Sequence, residues 1–220
     1  MVLYPILIPM DNLRRLEEIF ARFPGIGPRQ ARRFVYHILA KSPASVKEFT
    51  DLIAEVNKSA SECDMCHRFF MQRNLKSASA SGMICSICSD PSRDRSTLMV
   101  VARDSDYESI ERSSAYKGLY FILGGTVPIL DKEPEKRIRL KTLLERVAGA
   151  GATSPFKEII LSLNTTPDGE HTADIVHEAI LKVAENPPFR VSVLGRGLST
   201  GAELEYADGE TIKNALINRR

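Results

Sequence analysis

Over the first quarter of the chain, apolar residues recur at helical spacing. Leu13, Leu16, Ile19, Phe20 and Phe23 share one side of a helix, with Arg14, Arg15, Glu17 and Glu18 opposite. The pattern breaks at Pro24-Gly25-Ile26-Gly27-Pro28 and resumes with Ala31, Phe34, Val35, Ile38 and Leu39. This predicts two helices joined by a short turn that buries Ile26. A third helix is expected after Pro43, carrying Val46, Phe49, Leu52, Ile53 and Val56. Further along, the period changes. Short continuous apolar runs at Thr97–Ala102, Leu119–Leu123, Glu158–Leu163 and Arg190–Leu194 read as buried strands. Helical patterns alternate with them at Tyr107–Ala115, Glu135–Ala148, His171–Ala184 and Glu210–Asn218. Such alternation implies a mostly parallel sheet with helices on both faces, whose ligands or partners gather at the strand C-terminal ends. The alternating stretch Glu203-Leu204-Glu205 is expected to be an edge strand.

Between the helical and the strand-rich parts lie all four cysteines of the chain. They read Cys63-x-x-Cys66, eighteen residues, then Cys85-x-x-Cys88, the double-knuckle spacing of a structural zinc site. Each tight turn points two thiolates inward. Two turns complete a tetrahedron with no open coordination position, so one structural Zn²⁺ per chain is expected. Two disulfides or two redox pairs are the alternative, disfavoured where thiols stay reduced. His67 sits beside Cys66 and is expected to face solvent. Ser77-Ala78-Ser79-Ala80-Ser81-Gly82 reads as a loop between the knuckles. Zinc contributes about 10 to 16 kcal/mol to small finger peptides, so this segment is expected to order only with metal.

The turn between the first two helices carries a second candidate chemistry. Gly25 and Gly27 leave backbone N–H groups bare beside a helix N-terminus, a natural phosphate cradle. Arg29 and Arg33 stand four apart on one face, with Arg32 beside them. Residues 11–41 hold seven Lys and Arg against three acids. Phe23 to Arg33 resembles the helix-hairpin-helix motif of non-sequence-specific DNA-binding proteins, whose contacts go to phosphates. An ordinary helix connection with solvated arginines is the other reading.

Composition changes the picture little. The chain has 220 residues, 43% of them apolar and 26% charged, with a formal net charge of +2. That excludes disordered and fibrous classes and confines any nucleic-acid role to local charge. Residues 1–9 are apolar but lack a cationic start and a cleavage site, and are too short to span a bilayer. The expectation is a cytoplasmic, nucleoid-associated protein. Met10 directly precedes the cap pair Asp11 and Asn12, so translation is expected to start there rather than at Met1.

The loop after the third strand, Asn164-Thr165-Thr166-Pro167-Asp168-Gly169-Glu170, resembles the Toprim signature of topoisomerases and primases. Asn164 and Thr166 stand at that family's Asp-x-Asp pair, and Ala102 at its strand-ending glutamate. Mg²⁺-dependent phosphoryl chemistry needs several carboxylates together, so these neutral residues argue against catalysis. Asp104, Asp106, Asp168 and Glu170 remain, either as a weak metal site or as ordinary loop acids. Gly124-Gly125 and the string from Gly195 to Gly201 lack the phosphate-loop pattern and read as turns after strands.

From about Met10 to the C-terminus, the order of motifs resembles the bacterial RecR family of recombination mediators. The hairpin, the cysteine pairs and Asn164 to Ala173 carry the resemblance, with Gly124-Gly125, Leu130-Asp131, Arg196-Gly197-Leu198 and Leu204-Glu205-Tyr206-Ala207-Asp208. The spacer between the cysteine pairs is longer than the family's usual one, and Val193 stands where the family often has arginine. The resemblance implies an α/β multidomain chain: a helical helix-hairpin-helix domain over residues 1–60, a four-cysteine zinc finger over 61–96, a Rossmann-like Toprim parallel sheet over 97–192 and a short strand/helix tail over 193–220. It also implies a non-enzymatic, ring-like homotetramer that binds DNA through Gly25, Gly27, Arg29, Arg32 and Arg33. Such a clamp works with RecO and sometimes RecF to load RecA onto single-stranded DNA during gap repair. The rival readings are a Mg²⁺-dependent Toprim nuclease or primase-like enzyme, and a zinc-ribbon RNA-binding module.

Overall fold

A computed structural model of the chain describes residues 11–71, 82–131, 133–149, 156–183, 189–195, 197–198, 201 and 203–218. The start at Met1 or Met10 and the loop at 77–81 lie outside them. The chain divides into two compact units, Met1–Ser59 and Ala60–Arg220.

The first unit is helical. Helix α1 (Asn12–Ala21) is capped by Asp11, whose carboxylate accepts from the Leu13 N–H at 3.1 Å. Helix α2 (Pro28–Leu39) opens with a proline at its first turn, where the missing N–H costs nothing, and α3 spans Pro43–Ser59. Ala31 and Val35 of α2 are fully buried, whereas α3 buries none of its residues. Phe49, Leu52, Ile53 and Val56 are each about half exposed. The apolar stripe of the third helix is therefore present but uncovered. Ile26 is only partly buried, because it lines an open apolar groove of about 750 Å³ together with Phe20, Phe23, Phe34, Ile38 and Phe49.

The second unit begins with an antiparallel ribbon, β1 (Ala60–Glu62) with β2 (Phe69–Met71), followed by the short helix α4 (Ser86–Ser89). A four-stranded parallel sheet follows, ordered β4-β3-β5-β6, with β3 at Asp94–Val101, β4 at Gly118–Ile122, β5 at Glu158–Ser162 and β6 at Arg190–Val193. Period-two alternation splits each run between two cores. Leu98, Val100, Phe121, Ile159 and Leu161 pack with α6 (Leu140–Ala148) and α7 (Pro167–Val183). Met99, Val101, Tyr120 and Ile122 pack on the other face with Tyr107 of α5 (Asp104–Ser113).

Four features differ from the sequence pattern. Strand β6 fully buries none of its residues, because it stands at the edge of the sheet. The helical pattern from Glu135 is broken into a 3-10 turn, Pro134–Lys136, and α6, because the Arg139 N–H is drawn to the Leu123 carbonyl at 2.8 Å. Helix α7 starts at Pro167, inside the supposed loop, as the Thr166 hydroxyl accepts from the Gly169 N–H at 3.2 Å. Leu204–Tyr206 forms a 3-10 turn rather than an edge strand, closed by Tyr206 N–H to Glu203 and Ala207 N–H to Leu204. It leads into α8 (Gly209–Ile217), whose N-terminus Asp208 caps.

Candidate metal centre and nucleic-acid interface

The ribbon and α4 bring the two cysteine pairs together. The first knuckle is the β1–β2 turn, closed by the His67 N–H to the Cys63 carbonyl and the Cys63 N–H to the Arg68 carbonyl, both at 2.9 Å. His67 takes a left-handed φ of 61° to complete it. In the second knuckle Cys85 precedes α4 and Cys88 lies within it. Asp64 locks the two knuckles by accepting from the Met83 N–H at 2.6 Å and donating its own N–H to the Met83 carbonyl at 2.8 Å.

All four cysteines are free, all are buried, and their sulfurs lie within 4.8 Å of one another. Among the described residues, no other group of three or more His, Cys, Asp or Glu side chains is so gathered. Packed together, the thiols are driven apart in acidity: hydrogen bonding with Cys66 lowers Cys63, and the same bond with Cys63 raises Cys66. Four soft donors in a closed buried cluster suit one tetrahedral thiophilic ion.

His67 does not face solvent. Its side chain is 16% exposed, its Nδ1 lies 2.7 Å from Glu62 Oε1, and its ring meets Phe121 edge-on at 5.2 Å. Glu62 also pairs with Arg139 Nε at 3.2 Å. The left-handed turn folds the histidine back over the sheet instead of outward.

In the helical unit, Gly25 has a φ of +75°, a conformation that favours glycine, and Gly27 precedes α2 with no side chain capping that helix. The N–H groups of Arg29 and Gln30, which precede the first intrahelical bond from Ala31 to the Gly27 carbonyl, are therefore left for an external acceptor. Arg29, Arg32 and Arg33 are all exposed. Arg32 pairs with Glu17 at 3.3 Å, and Arg33 reaches the Gln30 side chain at 3.4 Å, while Arg29 makes no ion pair among the described residues.

The crevice that the sheet topology favours for ligands lies at the C-terminal ends of β3 and β5, where connections leave in opposite directions. It holds Ala102, buried at the end of β3, and the exposed Asn164 and Thr166 after β5. Three of the nearby acids already serve the backbone. Asp104 accepts from Phe69 N–H at 2.9 Å, Asp106 from Arg103 N–H at 2.9 Å and Asp168 from Ile129 N–H at 3.3 Å. Glu170 lines a polar hollow of about 410 Å³ with Thr165, Gly195, Asp208 and Asn214.

Two residues at the cysteine cluster carry no local sequence signal. Asp64 is visible only through its bonds to the other knuckle, and Arg146 arrives from α6 to donate to the Met65 and Tyr120 carbonyls.

Comparison with known proteins agrees with this geometry. Residues 13–56 match the family model described as RecR, helix-hairpin-helix; residues 96–195 match the Toprim domain; and residues 197–220 match RecR, C-terminal. A protein from Bacteroides thetaiotaomicron named Recombination protein RecR is 34% identical over 91% of this chain and 89% of its own length. Proteins of the same name from Rubrobacter xylanophilus and Paracoccus denitrificans are 35% and 34% identical, each over 95% or more of both chains. With that identity over nine-tenths or more of its length, the chain belongs to the RecR family.

Proposed function

We propose that this chain is a DNA-binding recombination mediator that acts in recombinational repair without turnover of its own. The observation that carries the reading is the uncapped N-terminus of α2 beside the exposed Arg29 and Arg33. Backbone donors and cations so arranged take phosphates without reading bases. The name of its relatives, Recombination protein RecR, supports the same role. Ala102, Asn164 and Thr166 in the sheet crevice offer no carboxylate for Mg²⁺, which favours a clamp over a nuclease or primase. In this reading the four cysteines hold one structural Zn²⁺ per chain.

Assembly follows from apolar faces that the chain does not cover itself. The helical unit exposes Phe49, Leu52, Ile53 and Val56. The second unit exposes Leu194 after its edge strand β6, and Leu204, Tyr206, Leu216 and Ile217 in its C-terminal segment. Two such patches, each pairing with its own copy, would close into a tetramer of dihedral symmetry. Four weak hairpins in one ring bind DNA with avidity. RecO, and RecF where present, would meet this ring in the cytoplasm to load RecA on single-stranded DNA.

The test is fluorescence anisotropy on single-stranded, duplex and gapped DNA across a salt series, with and without Mg²⁺, and the products run on a gel. Salt-sensitive binding that persists without Mg²⁺ and leaves the DNA intact is expected. Mg²⁺-dependent nicking or extension would overturn the clamp in favour of an enzyme.

A further inference from the structure

We infer that Arg146 is the outer-sphere counter-ion of the four-thiolate metal centre, a positioning residue that holds the bound ion in place from outside its ligand set. This rests on the reading of the cysteine cluster as a metal site.

Arg146 belongs to α6, far along the sequence from the knuckles, yet its Nη1 donates to the carbonyl of Met65, a residue between Cys63 and Cys66. The same nitrogen donates to the Tyr120 carbonyl of β4 at 2.8 Å. Its Nη2 is buried and has no hydrogen-bond partner among the described residues, a costly state for a guanidinium unless a charge stands nearby. Burial works against its proton, while the charges of Cys88, Cys66, Cys63 and Cys85 all work to keep it. The guanidinium also lies 5.9 Å from the Phe121 ring, which shields that side from water.

The charge count gives this placement its purpose. A divalent ion with four thiolates carries two net negative charges, which a buried site must balance. Of the neighbouring cations, Arg139 pairs with Glu62, whereas Arg68 donates to the neutral Tyr107 hydroxyl and keeps its charge, with its Nε buried and unpartnered among the described residues. Arg95 reaches the Cys88 carbonyl at 3.4 Å but is solvent-exposed, so water screens its charge. Arg146 thus offsets half of the excess charge. It thereby slows loss of the ion and makes the thiolates less nucleophilic.

The test compares the full-length wild type with Arg146→Gln and Arg146→Lys, purified under reducing conditions. Metal content is measured first, then release to a colorimetric chelator, alkylation by iodoacetamide, and the absorption of the cobalt-substituted proteins. The neutral glutamine variant is expected to release metal about 10- to 100-fold faster and to alkylate faster, with tetrahedral cobalt bands retained. The lysine variant, which keeps the charge, should recover most of the retention. Arg146→Met replaces the glutamine variant should that not fold. Release from the neutral variants at the wild-type rate overturns the inference, as does release from the lysine variant as fast as from the neutral one. A wild type that neither contains metal nor takes up cobalt overturns the metal-site reading itself.

Discussion

The backbone N–H of Ile122, the last residue of β4, donates to the carbonyl of Cys66 at 2.9 Å. Because β4 is an edge of the parallel sheet, this bond makes the first knuckle an additional rung on that edge. An open edge is a template for unwanted pairing, and here the cysteine turn covers part of it. The centre and the sheet are thus one mechanical piece, with Met65 and Tyr120 held by the same guanidinium.

Removing the metal proposed for the cysteine cluster should therefore be felt in the sheet. A strong chelator under reducing conditions is expected to raise hydrogen exchange at the Ile122 amide and along β4, with β5 and β6 less affected. Exchange measured by mass spectrometry checks this. Unchanged protection at Ile122 would mean that the knuckle holds its shape without the ion.

In the proposed reading, DNA binding through the hairpin depends on charge. Replacing Arg29 and Arg33 together with alanine should weaken DNA binding and flatten the plot of log affinity against log salt by about one to two per protomer. Arg32→Ala should cost less, because Arg32 is already paired with Glu17. Anisotropy titrations across a salt series decide it. An unchanged slope would place the DNA elsewhere.

How much of the molecule is legible in its sequence depends on the range of each interaction. The cysteine spacing and the Gly-Ile-Gly turn are local, and periodicity alone separates the helices from the sheet. Long-range bonds leave no such trace. Nothing around Glu135 announces that Arg139 will give its N–H to Leu123 and stop a helix. Adjacency to Cys66 points to solvent for His67, because the left-handed turn that folds it onto Phe121 follows from the knuckle's closure rather than from residue type. Arg146 is invisible for the same reason. Its partner Met65 is 81 positions away.

Glu111 sets an acid limit on stability. Burial raises the affinity of its carboxyl for a proton, but the Arg93 guanidinium and the Tyr120 hydroxyl, which donates to it at 3.0 Å, outweigh burial and hold it below the usual carboxylate range. A carboxyl whose folded pKa is depressed contributes stability that is complete above its unfolded pKa, about 4.3 to 4.5, and is lost as pH falls through the folded value. Glu111→Gln should accordingly lower the thermal midpoint at pH 7 and lose its difference from wild type in acid. Thermal melts at a series of pH values measure this. A difference that persists unchanged in acid would assign the effect to packing rather than charge.

Gly169 sits buried in the first turn of α7, with no room for a side chain. A Cβ built there would lie 2.0 Å from the Asn164 carbonyl oxygen and 3.2 Å from the Thr166 hydroxyl. The first contact is with backbone, so the loop after β5 must move to admit even a methyl group. Its movement would disturb the Thr166 bond to the Gly169 N–H and the Thr172 hydroxyl, which accepts from the Val127 N–H at 2.8 Å. Overpacking of this kind costs about 1 to 3 kcal/mol. For a chain of this length that is a fall in melting temperature of roughly 2 to 4 °C per kcal/mol. Gly169→Ala should therefore destabilise the sheet unit measurably in a calorimetric melt. A melting temperature unchanged from wild type would show that the loop relaxes freely, and that glycine here serves the crevice rather than the fold.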